Sequence, residues 1–403
     1  CSYSAELNDE YILVAVDTCD ERYRVVPNND ASRMDWTVKQ IKAAKKQGKK
    51  VILMMHHNLI DHDPYQKLLQ KNYVVDTPYS YAGLLADLGV KLVFTGHTHN
   101  NDVNYYTSPL GNTIYDFSSS SMGNFPAEYK FISMTDSEIK YETKQINRID
   151  ADKLAEVCKG YTQEELELMK TDLQAYVWNG KYKEMSESIR EEISPELLGI
   201  KESSALYSKI KPVTDMIKEM ADTPLYGNGG IKEQAAAYGL DIPDSEYSTL
   251  IDALTMLGLR YKIGEKIYTQ DSTDFAVIVK ALAFTIRKSA AATADSGTLA
   301  NANALLNKVG YKGGIADNTF KAFCEKYGFA TPAEKEALGI VFSLFGGYIA
   351  DKDGVDNRNG TIPGYGVKEE YTNKFVELFK KLVNITIEIM KKLYETVSPI
   401  IGK

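Results

Sequence analysis

Two short apolar runs decide most of what this chain can be: VILMM at residues 51–55 and KLVFT at residues 91–95. Each is too short for a helix and too uniformly apolar for a strand with one wet face. Both therefore read as strands buried on both faces of a sheet. Each also leads into histidine, as VILMM-His56-His57-Asn58 and LVFT-Gly96-His97-Thr98-His99. Ligands of open α/β sheets bind beyond the carboxyl ends of the strands, so four imidazoles collect at the chemically useful edge. The fifth, His62, follows closely, and residues 100–403 contain none. Random placement would confine all five to the first 99 of 403 positions in about one chain in a thousand. Any chemistry is to be sought in the front quarter.

Around these runs the first 147 residues alternate strand-like and helix-like patterns. Residues 11–16 (YILVAV) read as a buried strand, 33–47 as a helix capped by Ser32 and stopped by Gly48, and 79–88 as a second helix stopped by Gly89. Residues 113–117, 130–134 and 139–145 read as successive strands. Strands alternating with helices, then antiparallel strands, predict a layered α/β domain over residues 1–147. From 148 to 403 the pattern turns helical, with segments at 151–159, 163–178, 183–193, 203–221, 245–257, 272–289, 299–309, 319–327, 332–345 and 368–397. Breaks are expected at Asn179-Gly180, at Gly258 and in the glycine-rich stretches 310–314 and 360–366. An all-α domain over 148–403 is the reading.

A net charge of −8 and a pI near 5.4 leave no basic patch of the kind that binds nucleic acid. No apolar run reaches the ~20 residues of a membrane helix. Cys1, Cys19, Cys158 and Cys324 form no C-x-x-C pair and are too few for a disulfide framework, so they read as single buried thiols. Cys1 runs almost directly into a strand, without the tether expected of a lipidated cysteine, and the start reads as cut. A composition rich in Lys, Tyr and Asn looks bacterial. Export to the cell surface and residence in the cytoplasm both stay open.

His-x-His suits metal, because in a tightly turned segment two imidazoles can face one ion or two adjacent ions. Gly96 is expected to make that turn. His62, in the Asp61-His62-Asp63-Pro64 loop, reads as a rim or surface residue. Tyr65, Tyr79, Tyr105, Tyr106 and Asn100 are candidates for the pocket wall.

Strand-His-His followed by strand-Gly-His-Thr-His resembles the last two motifs of the calcineurin-like metallophosphoesterase superfamily, a lone His and then G-H-x-H. Asp17-Thr18 after YILVAV and the segment YDFSSSSMGNFPAEYKFI at residues 115–132 are similar to its bacterial phosphohydrolases. The resemblance covers residues ~10–146. It implies a layered α/β sandwich, hydrolysis of a phosphomonoester or phosphodiester, and two divalent ions of the Zn, Mn, Fe or Ni class attacking through a bridging hydroxide. It places His56 and His97 on one metal ion and His99 on the other. His56 is preferred to His57 because Asn58 stands where the family commonly has Pro two residues after its ligand. His57 becomes a weak catalytic candidate, beside the metal or on the substrate side.

The family's first three motifs, D-x-H, G-D-x-x-D and G-N-H-D/E, occur nowhere in the chain, and two of them need a histidine that no residue after His99 can supply. The expectation is an N-terminally truncated catalytic domain whose preceding segment belongs to the same protein. Alone it should hold at most one ion, show little hydrolysis, and offer no assigned general acid. The helical part would cap the site or form a homo-oligomer. Two other classes stay open: a binding or scaffold protein acting through its helices, and a mononuclear zinc module built on His56, His97 and His99.

Overall fold

The computed structural model describes residues 2–19, 31–62, 66, 72–198, 201–203, 207–265, 273–293, 353 and 355–367. Its front part is a six-stranded mixed sheet. Four parallel strands form the middle: β2 (Tyr11–Val16), β3 (Lys50–Met55), β4 (Leu92–Thr95) and β6 (Thr113–Ser118). β1 (Tyr3–Glu6) and β5 (Asp102–Thr107) close the two edges antiparallel, giving the order β1-β2-β3-β4-β6-β5.

Alternation along the strands builds two apolar layers. Val14, Leu53 and Val93 face Ile41 of α1 (Ala31–Lys46) and Ala82 and Leu85 of α2 (Pro78–Asp87). Ile52, Leu92 and Phe117 face the opposite way, onto Ile139, Tyr141 and Ile362. Those last residues belong to a second, three-stranded antiparallel sheet of β7 (Glu128–Met134), β8 (Glu138–Gln145) and β9 (Asn359–Pro363). Helices on one face and a small sheet on the other give a mixed α/β fold, compatible with the layered arrangement expected. The expectation of a wholly helical chain from 148 onward is corrected by β9. Its Gly and Pro disguise it as a loop in the sequence, yet it pairs with β8 from Glu138↔Pro363 to Glu142↔Asn359.

The helices that follow β8 begin with α3 (Ala151–Val157), α4 (Gln163–Thr171) and α5 (Leu173–Glu192). The expected break at Asn179-Gly180 does not occur, and the helix expected over 163–178 is interrupted instead at Asp172. There the carboxylate accepts the Ala175 N–H and caps α5. After α6 (Tyr207–Ala221) and the short α7 (Ile231–Ala236), Thr249 and Asp252 form a capping box that starts α8 (Leu250–Lys262). Gly258 does not end this helix. A Cβ there would come 2.5 Å from Met185 Sδ, so the glycine lets α5 and α8 approach closely. α9 (Thr273–Thr293) completes a core in which Val277, Ala281 and Phe284 pack on Leu250, Ala253 and Leu257.

The helices also pack on the front part, through Phe125 against Trp178 (ring centroids 5.3 Å apart) and Ala127 in one cluster with Leu166, Met169 and Leu259. No described helix is long and apolar enough to cross a membrane. The buried-thiol reading fails at Cys158, which is exposed, and at Cys19, which is half-buried. Cys1, Cys324 and the helices expected at 299–309, 319–327, 332–345 and 368–397 lie outside the described residues.

Candidate metal centre

Parallel pairing of β3 with β4 in the register Ile52↔Leu92 to Met54↔Phe94 brings the carboxyl ends of the two strands side by side. The ladder continues one step further, where the Gly96 N–H donates to the His56 carbonyl at 3.0 Å. His56 and His97 are thereby adjacent, with His56 Nε2 2.8 Å from His97 Nδ1. Strand alternation turns His57 to the other side of the backbone, into the protein, where it is fully buried. His57 still reaches the pair: one ring nitrogen from each of His56, His57 and His97 lies within 4.8 Å of the other two.

β2 supplies the support. Thr18, just past its end, holds its hydroxyl 2.7 Å from His57 Nδ1 and accepts the His57 N–H at 3.3 Å. When Nδ1–H donates to Thr18, the lone pair of Nε2 is free. Nε2 is also buried with no hydrogen-bond partner. A buried polar nitrogen without a partner costs about 1–3 kcal/mol unless something satisfies it, and a cation shared with His56 and His97 would do so. On the far side of His97, the Tyr73 ring lies 4.1 Å from the imidazole centroid at 36°. Backbone bonds between Asn58 and the Tyr73–Val75 segment keep that ring in place.

The charge state suits ligation. Burial pushes the His57 pKa down to about 4, helped by the neighbouring His97 and His56. Burial likewise lowers His97 to about 4, with His56 and His99 adding to the effect. Both are neutral at pH 7, the form that binds metal.

The sharp turn between β4 and β5 is made by histidine, not by Gly96. His97 has φ 64° and His99 φ 53°, both left-handed, whereas Gly96 has no positive φ. The Thr98 N–H bonds back to the Gly96 carbonyl at 2.7 Å, closing a γ-turn over His97, a strained conformation. The turn carries His99 away from the triplet. Burial lowers its pKa, and so do the ammonium groups of Lys262 and Lys181. The two ammonium groups also oppose a cation there, an effect that the Glu184 carboxylate partly offsets.

The donor set present fits one ion. Two nitrogens ~2.0–2.1 Å from a tetrahedral ion lie roughly 3.3 Å apart, so the His56–His97 pair need open only slightly. Among the described residues no second group of three such side chains gathers here.

Beneath the triplet lies a network no motif announced. His62 is buried, not at a rim or surface. Its Nδ1 hydrogen-bonds Asp102, and its Nε2 faces Asp116 Oδ2 at 3.1 Å, an ion pair rather than an aligned hydrogen bond. Asp116 also accepts the N–H groups of Leu59 and Ile60 and the Thr95 hydroxyl, at 2.6–3.1 Å. Asn58 donates to Thr95 Oγ1 and accepts from Gln66. This web fixes the segment after His57 to β4 and β6. Of the pocket-wall candidates, Asn100 is buried with an unpartnered Oδ1, while Tyr79 stacks on Tyr106 and Tyr105 on Tyr115. Tyr65 lies outside the described residues. Tyr73 and Lys262 carried no sequence signal, and Thr18 only the flank it shares with Asp17.

No family model matches the chain, and no curated protein matches it in sequence.

Proposed function

We propose that this chain carries a one-ion, three-imidazole part of a metal-dependent phosphoesterase site, formed by His56, His57 and His97. The observation that carries the reading is the gathering of His56, His57 and His97, in which His57 also has a buried ring nitrogen, Nε2, without a hydrogen-bond partner. The phosphoesterase class rests on the likeness of the VILMMHHN and LVFTGHTH segments to the superfamily's final motifs. A divalent ion held there supplies Lewis acidity toward a phosphoryl oxygen. The chain's own residues do the positioning. Thr18 fixes the His57 ring, Tyr73 covers His97, and the buried web under Asn58 holds the strand ends together. His57 is thus a donor, not a group that meets substrate, and His99 stands outside the triplet.

The test is cobalt or zinc loading followed by titration with inorganic phosphate or vanadate. About one ion per chain, lost in His97→Ala, and a cobalt spectrum perturbed by phosphate, support the reading. No uptake sinks it. Uptake with a spectrum indifferent to phosphate points to the second reading, a structural mononuclear zinc module, which the single compact triplet also favours. Hydrolysis of p-nitrophenyl phosphate by the chain alone should be slight, since three imidazoles do not make a dinuclear centre.

A further inference from the structure

We infer that Lys262, at the end of α8 in the helical part, is a positioning residue for the His97-Thr98-His99 turn, so that the helices belong to the metal site; the inference rests on the metal reading proposed above. A turn with left-handed backbone at two histidines does not hold itself. Such conformations are costly and persist only where the surroundings over-determine them. Inside the loop the Gly96–Thr98 bond and the Thr98 Oγ1···Ser118 Oγ contact (3.1 Å) restrain only its first half.

The second half is held from outside. Lys262 Nζ donates to the Thr98 carbonyl at 2.7 Å, and the Lys262 carbonyl accepts the Asn101 N–H at 2.9 Å. One residue therefore grips the turn at both ends of His99. Gly264 follows at φ 78°, where a Cβ would sit 2.3 Å from the Asn101 carbonyl oxygen, so chain and loop are in direct backbone contact. Asn357, just ahead of β9, locks the arrangement: its side chain donates to the Gly264 carbonyl at 3.4 Å and accepts the Val103 N–H at 2.9 Å. Arg358 donates to the Ile263 carbonyl at 2.6 Å and pairs with buried Glu128 at 2.8 Å. The end of α8 is thus anchored to β5 and β7 independently of Lys262. Removing the ammonium alone should release the Thr98 side of the turn while leaving the Asn101 backbone bond and the anchor in place.

The experiment compares the full chain with Lys262→Met, Lys262→Arg and Gly264→Ala, the last pressing a methyl group against the Asn101 carbonyl. Leu254→Ala, in the helical core away from the loop, controls for lost stability. Two readouts are taken: hydrogen exchange of the 96–101 amides in metal-free protein, and cobalt affinity from the ligand-field spectrum. In Lys262→Met, exchange of those amides should rise about ten-fold and cobalt affinity fall by about ten-fold or more. Lys262→Arg should restore both in large part. Gly264→Ala should imitate Lys262→Met, and Leu254→Ala should leave cobalt affinity unchanged. Unchanged affinity in both Lys262→Met and Gly264→Ala, whatever the exchange shows, overturns the inference alone. A wild-type chain that takes up no cobalt overturns the metal reading, and this inference with it.

Discussion

His62 and Asp116 face each other across 3.1 Å with no solvent exposure on either side chain. A charged pair so placed contributes little net stability relative to apolar residues, but removing one partner strands the other. Here the stranded charge would be doubled, because His62 also bonds Asp102. His62→Ala should lower unfolding stability by about 3–5 kcal/mol, read as a reduced urea midpoint with an unchanged slope. A loss under 1 kcal/mol would show that the pair is not charged in the folded protein.

The same imidazole should tie stability to pH. Burial alone would discharge it, but Asp116 and Asp102 outweigh that and push its pKa up to about 10. The folded protein then keeps a proton that the unfolded chain releases near pH 6.5. This contribution is complete below pH 6.5 and fades as pH rises toward 10. Lys130 works in the opposite sense. Burial pushes its pKa down to about 7, only partly countered by Glu128, so the folded protein gives up that proton first and stability gains between pH 7 and 10. The two slopes oppose each other in the wild type. In Lys130→Met, unfolding stability measured by urea at pH 7 and pH 9.5 should fall more steeply with pH than in the wild type. Parallel curves would refute the assignment.

His97 and His99 should part company. His97→Ala should abolish uptake of a divalent ion by removing a third of the donor set, while His99→Ala should leave about one ion per chain. Plasma mass spectrometry on desalted protein reads both. Equal loss in the two variants would return His99 to the ligand set that the resemblance implies.

Thr18 offers a subtler check. If its hydroxyl fixes the His57 ring through Nδ1, then Thr18→Val, nearly the same shape, should weaken metal binding about 10–100-fold, and Thr18→Ser should recover most of it. Competition against a chromophoric chelator measures this directly. Full affinity in Thr18→Val would mean that packing alone orients His57.

What was legible in the sequence follows from burial. VILMM and LVFT announce β3 and β4 because parallel strands covered on both faces must be apolar throughout. β5, with the sequence DVNYYT, sits at an edge with half-exposed positions and carries no such mark. β9 is hidden for a different reason: its partner β8 lies more than 200 residues earlier. In the site, the strand-end positions of His56 and His97 were readable. That His57, and not His99, gathers with them was not, because it depends on a γ-turn whose strain only the surrounding contacts can support. His62 looked superficial because its own loop is polar, while the aspartates that bury its charge arrive on β5 and β6.

β9 carries a practical consequence for anyone dividing the molecule. Cutting near residue 147, where the helical pattern begins, would strip β8 of a hydrogen-bonding neighbour and remove Ile362 from beneath Phe117. It would also leave an unpaired strand edge of the kind that recruits other chains. The working unit is interleaved along the sequence. A fragment that keeps the front part folded must include residues 355–367, and an expression product ending at 147 should aggregate.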